Sequence, residues 1–438
     1  MKKVGIVVCN YNKRNYVMDC VESLLAQTFH DRDIYVVDNA SEDDSVVALK
    51  GKYGDRITVF QNAENEGFSR AMNRGMEHCM AAGYQSVLLV DNDTRFAPDA
   101  LEIMDRYLEE HEEVGMCGAC VLQMENPEYL QMLGGTVDYQ CCEVRYNYNN
   151  TKVSDELPAE VNCNALATCA VLVKREVIEK IGVMRDDYFV YWDDIEWSRR
   201  CTDAGYSLTA LRDARVWHNW GANTVTKFSA FTEYYGRRNK LRFFATYMEE
   251  QKIDLLIENA LRNMFNVIYG HYRKGAYKEM QLTLRALDDV IHNVWGKAES
   301  AKLQIDETAQ LPLEGLLREQ EEAVIIPNKE MGEDGGIMAV ERVLRFCNPD
   351  IKLFTEEEYK DKNLQNSGIL KIMPCPHVIK VRENILPVVY VDRFLNCIIT
   401  EEDFTYFQNY ENSYGLFYRL YEPFFREGVE KIRKEAGR

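Results

Sequence analysis

The chain has 438 residues, of which 46% are hydrophobic and 28% are charged, and this composition is ordinary for a globular protein. The length accommodates two or three domains with a large core. The formal net charge is −19 at pH 7, which disfavours a nucleic-acid partner because the phosphate backbone would repel the protein. No apolar run approaches the roughly 20 residues that span a bilayer, and the apolar stretch after Met1 is too short for a signal peptide.

Thirteen cysteines are spread through the chain. This density is too low for a disulfide scaffold and favours a reducing compartment, so we expect a cytoplasmic protein. Cys117 and Cys120 form a C-x-x-C pattern on the predicted strand 114–122. Residues at i and i+3 of a strand point to opposite faces, so we do not expect the pair to bind a metal or act in redox chemistry.

The amino-terminal residues predict a βαβ unit. Residues 4–8 and 34–37 are runs of β-forming apolar residues, and apolar residues recur at helical spacing over 17–25. Two strands joined in this way are parallel, with a right-handed crossover. The loop after the first strand, residues 9–13, lacks G-x-G-x-x-G, which argues against a nicotinamide or flavin dinucleotide site.

Polar residues follow the ends of two predicted strands. Asp38 can accept a hydrogen bond from a ribose hydroxyl or a base N–H, or it can form a helix N-cap or an Asx-turn; the sequence leaves both open. Asp91 and Asp93 follow the strand 86–90, in the crevice where open α/β sheets bind ligands. Carboxylates there suit a divalent cation bound to a diphosphate, although Asp is also a common turn residue.

Alternating strands and helices are predicted to continue beyond this point. Helices are expected directly after Gly67 and over 99–110, 175–181 and 195–204, strands over 114–122, 165–173 and 214–217, and loops with edge strands over 126–160.

The carboxyl-terminal third has no motif that we can connect to chemistry. Residues 229–295 are strongly helical in pattern, and 306–341 carry ten acidic against two basic residues, which predicts a solvated linker or loose helices. Beyond 345 the pattern is mixed, with a strand predicted over 385–390 and a helix over 414–434. An accessory module for dimerisation or acceptor docking is the favoured interpretation, ahead of a metal site at Cys375 and His377.

Seven segments then carry a resemblance to a known family, standing in that family's order. These segments are 7–12 (VVCNYN), 37–43 (VDNASED), 65–75 (NEGFSRAMNRG), 89–94 (LVDNDT), 191–197 (YWDDIEW), His218 and 234–239 (YYGRRN). Over roughly residues 1–250 the chain resembles the family 2 glycosyltransferases, in particular their rhamnosyltransferase-like branch. Two departures from the family pattern are Cys9 in place of proline and Asp193-Asp194 in place of Glu-Asp.

The resemblance implies an α/β GT-A fold, a Rossmann-like mixed sheet that binds nucleotide-diphospho-sugars, over 1–250. A mostly helical extension is expected over 251–438. It also implies a metal, Mn²⁺ or Mg²⁺. The implied metal ligands are Asp93, Asp91 and His218. The implied base is Asp194, with Asp193 as the fallback, and Trp192 would contact the acceptor. The residues that would bind the donor are Asn10, Asp38, Arg70, Asn73, Asp91 and Arg238. Simpler interpretations are a structural histidine at 218 and acidic residues that complement the helix dipole after 192.

The function expected from the resemblance is an inverting glycosyltransferase. It would move a hexose or deoxyhexose from a UDP- or dTDP-sugar to a hydroxyl of a glycan, lipid-linked or protein acceptor. Peripheral membrane association and a homodimer are compatible with this expectation. The alternatives are a sugar-phosphate nucleotidyltransferase, which would need a glycine-rich basic loop after the first strand, and a non-catalytic sugar-nucleotide-binding module.

Overall fold

The computed structural model divides the chain into two compact units. One comprises residues 1–222, 238–250 and 294–299, and the other comprises 223–237, 251–293 and 300–438. The residues that the structure describes are 3–219, 229–299, 303, 312–331, 336–361, 369–383, 387–392 and 396–437.

The first unit alternates strands and helices along most of its length. Its strands are β1 (Val4–Asn10), β2 (Arg32–Asp38), β3 (Thr58–Gln61), β4 (Ser86–Asp91), β5 (Thr94–Phe96), β6 (Val114–Gln123), β7 (Leu130–Met132), β8 (Gly135–Asp138), β9 (Glu143–Tyr146), β10 (Glu160–Cys163), β11 (Ala170–Lys174) and β12 (Ser207–His218). Its helices are α1 (Arg14–Leu25), α2 (Ser45–Tyr53), α3 (Phe68–Ala82), α4 (Ala100–Glu110), α5 (Arg175–Ile181), α6 (Asp193–Asp203) and α7 (Arg237–Tyr247). The first residue of α7, Arg237, belongs to the second unit, and the rest of the helix belongs to the first.

Ten of these strands form one mixed sheet. The main path is β10-β12-β6-β11-β4-β1-β2-β3, with β5 paired to β12 and β7 paired to β6. Strand β1 is parallel to both neighbours, so that Ile6 lies opposite Ile34 and Leu88. Strand β11 is antiparallel to β4 and β6, whereas β12 is parallel to β6. This arrangement confirms the predicted mixed α/β sheet and the predicted βαβ start.

The sheet carries a hydrophobic core on each face. Successive residues of a strand point to opposite faces, so Ile6 and Val8 pack in one core while Val7 packs in the other. Helix α3 lies very close to β1: a Cβ atom on Gly75 would be 2.2 Å from Val7 Cγ1. The helix therefore needs a glycine at this contact.

Most of the cysteines are buried, and all thirteen are free; Cys141 is exposed and Cys163 is half-buried. Cys117 belongs to the core on one face of the sheet and Cys120 to the core on the other face. The two thiols therefore point to opposite faces, as the strand pattern predicts.

Several predicted boundaries differ from the structure, among them those of three elements in the segment 165–218. The strand predicted over 165–173 is only β11, because residues 165–169 leave the sheet and Ala165 bridges Gly135 instead. Helix α6 begins at Asp193, two residues before the predicted start. His218 is the last residue of β12 rather than a residue beyond it. Both acidic side chains at 193 and 194 therefore lie in the first turn of a helix.

The second unit combines helices with a smaller sheet. Its elements are α8 (Ile253–Arg273), α9 (Tyr277–Ile291), α10 (Pro312–Arg318), β13 (Glu322–Ile325), α11 (Ile337–Cys347), β14 (Lys352–Thr355), α12 (Glu356–Asp361), β15 (Leu370–Cys375), β16 (Val388–Asp392), β17 (Cys397–Ile398), α13 (Glu401–Gln408) and α14 (Tyr410–Glu435). The sheet order is β14-β13-β15-β16-β17, with β17 antiparallel and the other strands parallel.

The segment 306–341, predicted to be a solvated linker or loose helices, contains a helix and a buried strand in its described part. Residues 312–318 form α10, and 322–325 form β13, whose Ala323 and Ile325 are buried in the core of the smaller sheet. Acidic residues outnumber basic ones here because they flank the buried positions, so charge composition alone concealed a strand. The strand predicted over 385–390 runs from Val388 to Asp392, and its predicted first positions lie partly outside the described residues.

The longest helices pack as parts of globular units. In α8, Leu256, Ala260, Leu261 and Met264 are buried, on the apolar face of an amphipathic helix. Across the described ranges, no helix combines the length and the apolarity that crossing a bilayer requires.

Candidate active site

A short turn between β4 and β5 brings the first acidic side chains to the edge of the large sheet. Asp91 is the last residue of β4, and β5 then pairs antiparallel with the end of β12, so that Thr94 lies opposite His218. As a result His218 Nε2 is 3.1 Å from Asp93 Oδ1 and 3.6 Å from Asp91 Oδ2. The predicted metal ligands, which are far apart in sequence, therefore meet in space.

The electrostatics of this group favour a bound cation. Burial, together with the charge of Asp93, raises the pKa of Asp91 to about 7, although His218 opposes the shift. Burial also acts to raise the pKa of Asp93, but the hydrogen bond from His218, the charge of His218 and the charge of Lys13 together outweigh it, and the pKa is lowered. The pKa of His218 is raised because its hydrogen bond and attraction to Asp93 outweigh its burial. Carboxylates crowded in a buried place are stabilised by positive charge.

The donor atoms also fit a divalent metal. One ligand atom from each of Asp91, Asp93 and His218 can be chosen so that all lie within 4.8 Å of one another. Asp91 Oδ1 is buried and has no hydrogen-bond partner among the described residues, which leaves a lone pair for a cation. The other ring nitrogen, His218 Nδ1, is 3.2 Å from Gln131 Oε1, a contact of the kind that fixes the ring of a metal-binding histidine.

A second pair of carboxylates stands at the start of α6. Asp193 is 2% exposed and its Oδ2 accepts a hydrogen bond from Ser69 Oγ at 2.8 Å. Burial raises the pKa of Asp193. Burial and the charge of Asp193 raise the pKa of Asp194, and Asp91 contributes in the same direction. The two pairs therefore interact electrostatically, and a carboxylate with a raised pKa is suited to accept a proton near neutral pH.

The segment in front of α6 is strained. Phe189, Tyr191 and Trp192 have φ angles of 68°, 66° and 71°, a left-handed conformation that costs a non-glycine residue roughly 1–3 kcal/mol and clusters at functional sites. The Trp192 ring centroid lies 5.5 Å from that of Phe243 and 5.6 Å from that of Phe244. These two rings cover part of Trp192, which is half-buried. Its remaining surface is exposed and open to a ligand.

Asn10 joins Asp38 to the turn that carries Asp91 and Asp93. Asn10 Nδ2 donates to Asp38 Oδ2 at 2.9 Å, and Asn10 Oδ1 accepts from Asn92 Nδ2 at 2.9 Å. Asp38 Oδ1 also accepts from the backbone N–H of Ser41 at 2.9 Å, so Asp38 makes a local contact with the backbone three residues on. The donor-binding role of Asp38 remains a prediction.

Two other predicted donor-binding residues contact protein groups instead. Arg70 is on the outer side of α3, with its guanidinium 3.8 Å from Asp186 and 3.7 Å from Glu77. Asn73 is buried and donates to the backbone carbonyl of Met184 at 2.7 Å. Asn73 thus has a structural contact, and the donor-binding roles of Arg70 and Asn73 remain predictions.

Arg238 contacts a segment that sequence spacing could not connect to it. It is fully buried, its Nη1 donates to the carbonyl of Gly296 at 3.0 Å, and its guanidinium carbon is 5.7 Å from the centroid of the Trp295 ring. The donor-binding role of Arg238 remains a prediction.

Three residues near the site were not singled out from the sequence. Ser69 lies inside the segment 65–75 that carried the family resemblance, and Lys13 follows the first such segment and helps to lower the pKa of Asp93. Gln131, which contacts His218, stands in an edge strand with no sequence signal. Gln131 could therefore be assigned to the site only from the three-dimensional structure.

Comparison with known families agrees with this geometry. The family model described as "Glycosyltransferase like family 2" matches residues 2–240, more than half of the chain. The chain belongs to the family 2 glycosyltransferases. Membership confirms the resemblance and, with the observed mixed sheet, the predicted GT-A fold class.

Curated relatives of this glycosyltransferase are distant in sequence. It is 23% identical over 195 residues to a dTDP-rhamnosyl transferase of Shigella flexneri, covering 44% of this chain and 61% of that protein. It is 22% identical over 283 residues to a galactofuranosyltransferase of Mycobacterium tuberculosis, covering 59% of this chain and 42% of that protein. The chain thus spans less than two thirds of the length of these relatives.

Among solved structures, the chain is similar to S. aureus TarS in complex with UDP-GlcNAc, with 18% identity and a TM-score of 0.45. That alignment covers 67% of this chain and 81% of the TarS chain. It is also similar to a Pyrobaculum calidifontis mannosyltransferase in complex with GDP-Man and Mn²⁺, with 17% identity and a TM-score of 0.42, covering 69% and 78% of the two chains.

Proposed function

We propose that the protein is a metal-dependent, inverting glycosyltransferase that uses a nucleotide-diphospho-sugar donor. The observation that carries the proposal is the placement of Asp91, Asp93 and His218 at the sheet edge within electrostatic range of Asp194. The reaction needs a stabilised leaving diphosphate and a base for the acceptor hydroxyl. The Asp91–Asp93–His218 group would hold the cation that stabilises the diphosphate, and Asp194 would supply the base.

Asp93, Asp91 and His218 would hold the metal. An imidazole among carboxylates suits Mn²⁺ better than Mg²⁺, so Mn²⁺ is the preferred cation. When bound, the ion would offset negative charge on the leaving diphosphate. Lys13, which helps to lower the pKa of Asp93, adds positive charge on the same side of the site. Gln131 would keep His218 Nε2 pointing toward the carboxylates.

Asp194 would be the base and Asp193 its supporting neighbour. Asp193 already accepts a hydrogen bond from Ser69, whereas the raised pKa of Asp194 matches proton transfer near neutral pH. Trp192, directly before the pair, would contact the acceptor sugar. A base that acts on the acceptor rather than on the donor favours inversion of the anomeric centre.

The donor is proposed to be a UDP- or dTDP-sugar and the acceptor a hydroxyl of a glycan, lipid or protein. The similarity to a dTDP-rhamnosyl transferase supports a dTDP-sugar within this range. Asn10 and Asp38, joined by a hydrogen bond, would bind the nucleoside. The thirteen free cysteines support the proposed cytoplasmic location. The division into a catalytic region over 1–250 and an accessory region over 251–438, the homodimer and the peripheral membrane association also remain proposals.

A screen for hydrolysis of UDP-, dTDP- and GDP-sugars tests the proposal. With Mn²⁺, the protein should release nucleoside diphosphate from one class of donor, and EDTA should abolish the release. The anomeric configuration of the sugar transferred to an added acceptor, read by NMR, should be inverted. No turnover of any donor, or full turnover in EDTA, would contradict the proposal.

A further inference from the structure

The strained segment before α6 determines where the proposed base lies. Trp192 occupies the N-cap position of α6, and its carbonyl accepts the first helical hydrogen bond from the Glu196 N–H at 3.0 Å. Asp193 and Asp194 follow at once. Any change in the backbone of residues 189–192 would therefore shift or rotate the first turn of α6 and both carboxylates with it.

The side chain of Asn239 meets this segment directly. Asn239 lies on α7 and is 0% exposed. Its Nδ2 is 2.8 Å from the carbonyl oxygen of Tyr188, 2.8 Å from that of Val190 and 3.1 Å from that of Tyr191. An amide NH₂ has two hydrogens, so three carbonyls converge on two donors, and the backbone must curve around the amide to reach it.

The orientation of the Asn239 amide is itself fixed. Asn239 Oδ1 accepts a hydrogen bond from Arg238 Nε at 3.1 Å, which points the NH₂ group toward the segment. On the other side of the segment, the N–H of Phe68 donates to the carbonyl of Phe189 at 2.6 Å. The neighbour of Phe68 is Ser69, which binds Asp193. Contacts from α7 and α3 thus hold the segment from two directions.

We propose that Asn239 is a positioning residue for glycosyl transfer. By donating to the carbonyls of Tyr188, Val190 and Tyr191, it holds the left-handed residues in place and so orients Asp194 toward the acceptor hydroxyl. Asn239 itself contacts no substrate in this scheme. The inference rests on the proposed function of Asp194, but the hydrogen bonds that carry it do not.

Hydrogen exchange of the full-length protein tests the holding role without any substrate. Asn239→Asp keeps the shape and the acceptor oxygen but loses the NH₂ donors. Amides of residues 189–196 should exchange at least ten-fold faster in this variant than in the wild type, measured by mass spectrometry. Unchanged exchange in this segment would overturn the proposal.

The matched control is Asn348→Asp in the second unit. Asn348 Nδ2 also donates to two backbone carbonyls, those of Leu317 and Gln320, each at 2.9 Å. The control loses the same type of contact and should leave exchange over 189–196 unchanged. If the buried carboxylate prevents Asn239→Asp from folding, Asn239→Ala, which introduces no charge, takes its place.

Kinetics then separates positioning from general stability. With the best donor of the hydrolysis screen, Asn239→Asp should lower kcat by about 10- to 100-fold. Its affinity for UDP or dTDP with Mn²⁺, measured by calorimetry, should stay within about two-fold, and Asn348→Asp should keep its kcat. A loss of kcat that merely follows a loss of nucleotide binding would show a structural role and overturn the proposal. If the wild type hydrolyses no donor, the proposed function fails, while the exchange result still decides whether Asn239 holds the segment.

Discussion

Ser69 Oγ donates a hydrogen bond to Asp193 Oδ2 at 2.8 Å, although 124 residues separate the two in sequence. This contact distinguishes two adjacent carboxylates of the same helical turn. Asp193 is buried and held by a hydroxyl, whereas Asp194 accepts from the backbone N–H of Ile195 next to it. The Ser69 hydrogen bond acts to lower the pKa of Asp193, while the charge of Asp193 acts to raise the pKa of Asp194, so the contact favours Asp194 as the base.

Replacement of Asp194 tests this assignment. Asp194→Asn keeps the size of the side chain but cannot take a proton, so kcat should fall by roughly 10²–10⁴-fold. The affinity for nucleoside diphosphate, measured by calorimetry with Mn²⁺, should change little. If Asp193→Asn is the more damaging of the two, the roles are reversed; if both variants keep near wild-type turnover, neither residue is the base.

The raised pKa of Asp194 also predicts how stability depends on pH. A carboxyl whose pKa is higher in the folded than in the unfolded state binds more protons when folded, so its contribution to stability is lost as pH rises through the folded pKa. Asp194→Asn removes that charge. In EDTA, the thermal midpoint of the variant should therefore exceed that of the wild type, by more at pH 8 than at pH 5.

The size of this effect follows from linkage, since each unit of pKa shift corresponds to about 1.4 kcal/mol. Asp55→Asn, at an exposed position, serves as the control. A difference between Asp194→Asn and the wild type that is constant across this pH range would contradict a raised pKa at Asp194.

Metal binding should depend on His218 and on Gln131, which contacts its Nδ1 atom. Asp93→Asn and His218→Gln each alter one of the three candidate ligands and should weaken Mn²⁺ binding strongly, as read by electron paramagnetic resonance of free Mn²⁺. Gln131→Leu removes the contact to His218 Nδ1 and should weaken Mn²⁺ binding by roughly 10-fold or more. Asp105→Asn, a buried carboxylate paired with Lys3, should bind Mn²⁺ as the wild type does. Equal affinity in all four variants would place the metal elsewhere.

Local patterns predicted the elements that build the sheet edge. The apolar runs predicted β1, β2 and β4, and α5 ends at Ile181 as predicted. The order of short motifs identified Asp91, Asp93 and His218, which meet in the structure. These predictions succeed because strand ends of a parallel sheet converge at one edge, so residues at those ends share a site whatever their separation in sequence.

Long-range side-chain partners could not be predicted in this way. Trp295 and Gly296 belong to the first unit, where the Trp295 ring centroid is 4.2 Å from the guanidinium carbon of Arg242 and Gly296 accepts from Arg238. No periodicity or motif connects residues 294–299 to α7. A fragment of residues 1–250 would lack these contacts, which makes its nucleotide binding a demanding test of the proposed domain division.

Gly67 lies at the start of α3 and is in close contact with Phe189, in the segment that precedes α6. It stands before α3 with a φ of +93°, where a side chain is strained, and a Cβ atom there would lie 2.6 Å from the carbonyl oxygen of Phe189. That carbonyl accepts the Phe68 N–H, so there is no room for it to move away without breaking the contact. Gly67→Ala should therefore displace the segment before α6 as well as strain its own backbone.

We expect Gly67→Ala to lower the unfolding free energy by about 2 kcal/mol or more and to lower kcat further than the loss of folded protein explains. Gly51→Ala is the matched control, because Gly51 lies within α2 and a Cβ there meets nothing within 4 Å. That control should be neutral or stabilising by up to about 1 kcal/mol. Thermal denaturation and donor hydrolysis measure the unfolding free energy and the kcat of both variants. If Gly67→Ala equals Gly51→Ala in both quantities, the close approach of α3 to Phe189 does not constrain the site.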